Sequence, residues 1–342
     1  METQEPRKHH YIPRFILKHF QSEDNLVNYW NISNKSLQRR NIKGVFMNID
    51  MYRDEVQSSE DPTKIEKQFG NLETKVAALM QEKLLAEKQI VLLRKEMEML
   101  RIFMTLLSFR ANHRMDQYKE GKFDSLTNEI LSEYQPDGNY ELLWKRQLEV
   151  LSRCESYQAI KDAQEIDPAI KLEFMNELEG YYLTFVDARG GEFIITDVYP
   201  TLEICPGVLG GNIYLHCFFP LSPTRLMILN HIMFRKELEN DELLQVPRSI
   251  SNIDGNMIAT PKVKYKYGSS YYHDPDDVFT YSIKNVYKDQ VKYVNSLFLN
   301  EARVGVMFKD EDRVIDSIVE YNALDNVKQS FEELEKAITK ED

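Results

Sequence analysis

The stretch "YYLTFVDARGGEFIITDVYP", Tyr181 to Pro200, decides the fold class because the period of the hydrophobic residues changes there. Upstream of it, apolar residues recur at the steps of three and four that are typical of helices. Within it, two β-rich runs flank Gly190 and Gly191, which favours a hairpin of two strands. The segments "NIYLHCFFPLS" and "TRLMILNH" predict two further strands. We therefore predict an α+β fold with a helical scaffold and one modest, mainly antiparallel sheet.

Two long helices are predicted before residue 110. Their apolar residues each mark one helix face, which is typical of core packing. These residues are Ile65, Phe69, Leu72, Val76 and Leu79 in the first helix, and Leu93, Met97, Leu100, Met104 and Leu107 in the second. With a turn near 85–88, the two stripes predict a long antiparallel helical hairpin. Shorter helices are predicted around 141–163 and 170–178, and "YKDQVKYVNSLFLNEARVGVMF" returns to helix after the strands.

Composition bounds the class of protein. With 342 residues, 42% of them hydrophobic, the chain can bury a sizeable core. The net charge of -12 argues against broad affinity for nucleic acid or anionic membranes. Residues 301–342 carry 12 acidic and 6 basic side chains, which is half of that charge. We predict a single domain of residues 8–310 and an acidic C-terminal helical extension of residues 311–342, which can dock a protein partner or a second copy.

The cysteines and the apolar runs indicate a compartment. Cys154, Cys205 and Cys217 form no CxxC pair, and their odd number does not suggest a disulfide framework. Cys205, His216 and Cys217 are interpreted as ordinary residues on predicted strands. No apolar run reaches the roughly 20 residues of a membrane span. We therefore expect a cytoplasmic protein with no membrane segment.

The stretch "KHHYIPRFILKHF", Lys8–Phe20, carries the first candidate site residues. Pro13 disfavours a helical Ile12, so a helix can begin at Pro13 with His10 just before it. In one interpretation His10 is a general acid or base, or a ligand, and Arg14 holds a phosphate or carboxylate beside it. In the other, His10 is hydrogen-bonded and buried while Arg14 pairs with an acid.

The stretch "LLSFRANHRM" carries the second set of candidates. Arg110 prolongs the apolar face of its helix, and Arg114 follows one turn later. Buried guanidinium groups need partners, and Glu66 and Glu73, seven residues apart on the first helix, are the obvious counter-ions. The pattern leaves open a structural ion-pair network or a preorganised arginine pair for an anionic substrate.

Two further segments each leave two interpretations. Asp197 in "FIITDVYP" ends a β-rich run before a turn, where an aspartate is a base, a metal ligand or simply a turn former. In "PKVKYKYG", the alternation places Lys262, Lys264 and Lys266 on one face. That strip indicates either a surface for single-stranded nucleic acid or a protected edge strand.

Six segments in a fixed order resemble one family: "HHYIPRFILKHF", "IEKQFGNLE", "FMTLLSFRANHR", "FIITDVYP", "FFPLSP" and "VNSLFLNEAR". Together they resemble the bacterial domain-of-unknown-function 4238 family from about His10 to Val306. The residues that correspond are His10, Tyr11, Pro13, Leu17, Phe20, Glu66, Glu73, Arg110, Arg114, Asp197, Pro220, Ser222, Pro223, Asn295 and Ala302. One extra residue precedes Pro200, which departs from the family pattern. The resemblance implies an architecture and a candidate site, and it implies no activity.

If these polar residues converge, they suit phosphodiester hydrolysis. The candidate catalytic residues are His10, Glu66, Glu73 and Asp197, and the candidate anion-binding residues are Arg14, Arg110 and Arg114. The metal is unknown, with Mg2+ or Mn2+ as candidates on the carboxylates. This hypothesis is a nuclease-like or nucleotide-directed hydrolase in a defence or toxin role, acting on a nucleic acid or nucleotide. The alternative is a non-enzymatic protein-interaction module with a buried Arg-Glu-His network.

Overall fold

The computed structural model describes residues 7–323 except 57–58, 124, 136, 169, 172–173, 176–180, 207–211, 232–256 and 261–274. The helices in this part are Arg14–Leu17 (α1), Lys64–Leu79 (α2), Arg94–Phe109 (α3), Asn112–Glu120 (α4), Ser125–Tyr134 (α5), Tyr140–Leu151 (α6), Tyr157–Asp162 (α7), Lys288–Glu301 (α8) and Glu311–Ala323 (α9). The chain therefore has the helical component that the periodicity predicts.

The strands are Lys8–His10 (β1), Val27–Asn31 (β2), Ser36–Arg40 (β3), Met47–Ile49 (β4), Gln89–Leu93 (β5), Tyr181–Arg189 (β6), Ile195–Thr196 (β7), Thr201–Pro206 (β8), Asn212–Pro220 (β9), Arg225–His231 (β10), Met257–Thr260 (β11), Val278–Tyr287 (β12) and Gly305–Phe308 (β13). The largest sheet has the order β11-β12-β6-β10-β9-β8, and β5 also pairs with β12. A second sheet has the order β3-β2-β13-β7, and β1 pairs with β4. Among the described pairs, β12 and β6 are parallel and the others antiparallel. The fold is α+β.

Side chains that alternate along the largest sheet enter two hydrophobic cores. On β6, Phe185 belongs to the core formed with α2, α3 and α6, whereas Val186 belongs to the core formed with α8 and α9. Met227 and Ile228 on β10 divide in the same way. The sheet is thus covered on both faces, which explains its long apolar runs.

The structure does not show the long helical hairpin that the sequence predicts. After α2 the chain makes a turn of π-helix, Met80–Leu84, and then enters β5 before α3 begins. In β5, Ile90 and Leu92 are buried while Gln89 and Val91 are exposed, the alternation of a strand. The two helix faces are buried as predicted, but a strand of the largest sheet separates the helices.

The sheets also differ from the prediction in number and pairing. The hairpin predicted at Gly190-Gly191 is absent from the described pairs, because β6 pairs with β10 and β12 whereas β7 pairs with β13. The strands divide into three sheets in the described part of the chain, and the prediction of one modest sheet is wrong. The strands predicted in "NIYLHCFFPLS" and "TRLMILNH" are present as β9 and β10.

The described part of the C-terminal extension packs on the body of the protein. In α9, Val314, Ser317 and Ile318 are buried, and the Oγ of Ser317 accepts a hydrogen bond from Nδ2 of Asn295 in α8 at 2.7 Å. Residues 324–342 and the predicted lysine strip at 262–266 lie outside the described residues. In the part of the chain that is described, no helix is long and apolar enough to cross a membrane.

Candidate functional site

The N-terminal segment is anchored by a histidine that the sequence analysis did not select. β1 pairs with β4, so that His9 lies opposite Asn48. His9 is buried, and its Nδ1 accepts a hydrogen bond from the backbone N–H of Tyr52 at 2.9 Å. The two rings also stack, with centroids 5.5 Å apart. These contacts fix the chain immediately before His10. As predicted, the short helix α1 begins after Pro13.

Arg110, at the C-terminal end of α3, is the centre of the site. Its side chain is 1% exposed, and its guanidinium lies 4.5 Å from the centroid of the Phe69 ring. The Nη2 atom donates to Oε1 of Glu73 at 2.7 Å and to the backbone carbonyl of His10 at 3.4 Å. The Oη of Tyr52 donates to the backbone carbonyl of Arg110 at 3.1 Å. One buried cation therefore joins α2, α3 and the N-terminal segment.

Glu66 lies about two turns before Glu73 on the same side of α2 and has a different environment. Burial raises the pKa of Glu66 to about 7; the positive charge of Arg110 opposes this shift and the negative charge of Glu73 adds to it. Within the described chain, the Glu66 carboxyl group makes no hydrogen bond. Near neutral pH it therefore exchanges a proton readily, which a general acid or base requires.

His10 is held in a defined protonation state. Its Nε2 lies 3.1 Å from the backbone carbonyl of Ile42, and only a protonated nitrogen can donate to a carbonyl, so Nδ1 carries the lone pair. Burial lowers the pKa of His10, and the charges of Arg14, Arg110 and Lys8 lower it further. At neutral pH the ring is uncharged, with a basic nitrogen beside several cations.

Asp197 binds backbone rather than the arginines. Its Oδ1 accepts hydrogen bonds from the N–H groups of Arg303, Val304 and Gly305 at 2.9, 2.8 and 3.1 Å. Its negative charge also contributes to raising the pKa of Tyr11, where burial is the main cause. One carboxylate oxygen is thus committed to the turn between α8 and β13, and this geometry favours a positioning role over the predicted catalytic one.

Arg114 also has contacts other than those predicted. Its Nη1 donates to Oε1 of Gln117 at 3.0 Å, and its guanidinium lies 5.9 Å from the centroid of the Phe109 ring. Its neighbour His113 has a pKa lowered to about 4, mainly by burial and further by the charges of Arg114 and Arg303. Arg114 and Arg303 therefore both lie close to His113.

A family model described as "Protein of unknown function (DUF4238)" matches residues 8–312. The chain belongs to this family. Comparisons with curated proteins and with solved structures give no match. The DUF4238 match extends from β1 to the first residues of α9, and it includes every candidate site residue that the sequence indicates.

Within this DUF4238 chain, the candidates fall into two groups. His10, Arg14, Glu66, Glu73 and Arg110 interact with one another through hydrogen bonds, an ion pair or their charges. The second group contains Asp197 and Arg114. It also contains His113, Arg303 and Tyr11, which the sequence did not indicate as site residues. No local pattern distinguishes a single histidine or arginine of this kind.

The carboxylates do not assemble as ligands of a metal in the described residues. No group of three or more His, Cys, Asp or Glu side chains there has an arrangement that could hold a metal ion. Glu73 instead faces the guanidinium of Arg110, and Asp197 faces backbone N–H groups. The described side chains thus provide no preformed set of ligands for Mg2+ or Mn2+, the two candidate metals.

Proposed function

We propose that this protein hydrolyses phosphodiester bonds in a nucleic acid or nucleotide. One observation carries the proposal: the buried guanidinium of Arg110 donates to the backbone carbonyl of His10, and its charge acts on the pKa of both His10 and Glu66, so that a neutral base and a carboxyl group with a pKa of about 7 share this neighbour. General acid–base catalysis needs two groups in complementary protonation states at the working pH.

His10 and Glu66 supply the two proton transfers in the proposed reaction. Nδ1 of His10 takes a proton from water as the water oxygen bonds to phosphorus. The bond from phosphorus to the leaving oxygen breaks, and that oxygen takes the proton of Glu66. The products are a phosphate monoester and an alcohol, and exchange with solvent returns the proton from His10 to Glu66. Each transfer is of the kind that contributes about 10²-fold to 10⁴-fold in rate.

The cations have separate roles. Arg14 and Lys8 are exposed and lie close enough to His10 to lower its pKa, so they are available to hold the phosphate oxygens. Arg110 is buried against Phe69 and is a positioning residue, because it binds the carbonyl of His10 and the carboxylate of Glu73. Its charge also adds to the lowering of the His10 pKa, of which burial is the main cause.

The test measures cleavage of single-stranded and double-stranded RNA and DNA and of nucleotide phosphodiesters, with and without Mg2+ or Mn2+. His10→Ala and Glu66→Gln are expected to lose at least about 10²-fold in rate. His19→Ala and Glu87→Gln are matched controls, because both side chains are exposed, and they are expected to retain the wild-type rate. Wild-type protein that cleaves no substrate, or cleavage that survives in both site variants, would overturn the proposal.

A non-enzymatic interaction module is the second candidate, and the contacts that Arg110 makes within the chain favour it. Its guanidinium contacts Glu73, His10 and Phe69 within the chain, as a structural network would. The acidic extension would then dock a protein partner or a second copy of the chain. For this module, Glu66→Gln alters stability and removes no activity, and the wild-type chain sediments as a complex with itself or its partner.

A further inference from the structure

We infer that the site continues across Tyr11 into a second anion-binding subsite formed by Arg303 and His113, so that the substrate is an oligonucleotide strand with at least two phosphate groups. This inference rests on the proposed phosphodiester hydrolysis and names its substrate class. The first subsite is formed by Lys8 and Arg14 beside His10.

Hydrogen bonds tie both the start of α4 and Tyr11 to the segment around β4. The side chain of Asn48, opposite His9 in the β1–β4 pair, donates to the side-chain oxygen of Asn112, the residue before His113. The α4 helix therefore begins beside the N-terminal segment. The backbone N–H of Tyr11 donates to the carbonyl of Phe46 at 3.2 Å, which holds the buried Tyr11 against the same β-structure.

The turn that carries Arg303 is linked to Tyr11 through two aromatic rings. Gly305 lies against the hydroxyl of Tyr29, the ring centroids of Tyr29 and Phe46 are 5.8 Å apart, and those of Phe46 and Tyr11 are 6.2 Å apart. Asp197 holds the backbone of Arg303, and its charge acts on the pKa of both Tyr11 and Tyr29. The Arg303 side chain is exposed and close enough to His113 to lower its pKa. The segments linked to the buried Tyr11 by these contacts thus carry four cations: Lys8 in β1, Arg14 in α1, Arg114 in α4 and Arg303 in the turn before β13.

Three of these cations are not neutralised within the described structure. Lys8, Arg14 and Arg303 make no ion pair with a described carboxylate, although the whole chain has 55 acidic and 43 basic residues. Two acids are near: Asp197 is occupied by three N–H groups, and exposed Asp116 is bound by Nδ2 of Asn112 at 3.3 Å. A phosphate-bearing strand would supply the missing negative charge.

His113 adds a polar group that lacks a partner. Its Nδ1 is fully buried and makes no hydrogen bond inside the described chain. A buried polar atom of this kind is rare, and it commonly marks a place for a ligand or an ordered water. Because the pKa of His113 is about 4, the ring is neutral at pH 7, and its partly exposed edge can contact a nucleotide beside Arg303.

The test measures binding by fluorescence polarisation with labelled strands of one, two, four and eight nucleotides, as both RNA and DNA, over a series of NaCl concentrations. Glu66→Gln serves as the background so that bound strands stay intact. Affinity is expected to rise between one nucleotide and two or four. Arg303→Gln is expected to abolish that rise, to lower the slope of log K against log salt by about 0.7, and to leave mononucleotide binding unchanged.

Arg153→Gln is the matched control, because Arg153 is exposed and its Nε donates to the carbonyl of Glu149. Affinity independent of strand length, or an Arg303→Gln variant that behaves like Arg153→Gln, would refute the second subsite. In that case a small diester that wild type cleaves would still support the proposed hydrolysis. Conversely, length-dependent binding with no cleavage of any substrate would retain the subsite as a binding surface and overturn the hydrolysis.

Discussion

The Glu66→Gln variant is expected to be more stable than the wild-type protein above pH 7 and equally stable below about pH 4. In the folded protein the pKa of Glu66 is raised from its ordinary 4.5 to about 7, chiefly by burial. The folded state therefore binds this proton more tightly than the unfolded chain. The stabilisation from the bound proton is fully present below pH 4.5, and it is lost as the pH rises through 7.

The pKa shift gives the size of the effect. A shift of one pKa unit corresponds to about 1.4 kcal/mol, so ionising Glu66 in the folded state reduces the free energy of unfolding by about 3 kcal/mol in total. Between pH 5 and pH 8.5 the wild-type protein should lose about 2 to 3 kcal/mol that the glutamine variant keeps. Glutamine has nearly the shape of the protonated carboxyl group, so packing against Arg110 is retained.

Guanidinium chloride unfolding of both proteins at several pH values measures this difference, and the contributions of all other titrating groups cancel when the two are subtracted. Glu87→Gln, at an exposed position, should follow the wild-type curve throughout. A stability difference between Glu66→Gln and wild type that stays constant from pH 5 to pH 8.5 would show that the carboxyl group is not destabilised as the structure implies. Greater stability together with lost cleavage would fit a site residue kept at a cost in stability.

Three other perturbations address the same region. Arg110→Met is expected to lower the free energy of unfolding by about 3 to 5 kcal/mol, because it leaves the half-buried carboxylates of Glu66 and Glu73 without their counter-ion; denaturant unfolding measures this, and a loss below about 1 kcal/mol would contradict it. Gly305→Ala should cost about 1 to 3 kcal/mol, because an added Cβ would lie 2.1 Å from Oη of Tyr29; thermal unfolding checks it, and an unchanged melting temperature would refute it. His10 should titrate below 6.5 by NMR, and Arg14→Gln should raise its pKa because a neighbouring positive charge is removed; an unshifted titration would argue against their proximity.

Local periodicity predicted the helices well, and it failed where pairing is distant. Ile65, Phe69 and Leu72 mark a buried face that only a helix brings together, so α2 follows from the sequence alone. Strand β5 does not follow from the sequence alone, because its alternation covers only five residues between two helices. Its partner β12 lies more than 180 residues later in the chain. Such a pairing depends on the whole fold.

The same reasoning applies to the candidate site. The contact between Arg110 and Glu73 could be predicted from helical spacing. Arg110 extends the apolar face of its helix, and Glu73 lies beside the apolar face of α2. The partners of Asp197 were not predictable, because they are backbone N–H groups more than 100 residues away and any residue type can supply them. His113 became a candidate site residue only from the structure, because its Nδ1 is buried without a hydrogen bond in the described residues.

The position of β13 in its sheet has a consequence for how the protein folds. β13 lies between β2 and β7, and Met307 pairs with Tyr29, a residue near the start of the chain. Contacts of such long sequence separation slow folding, because much chain must be ordered before they form. During synthesis, one edge of β2 therefore stays unpaired until residue 308 has left the ribosome. We expect chaperones to bind the N-terminal strands in that interval.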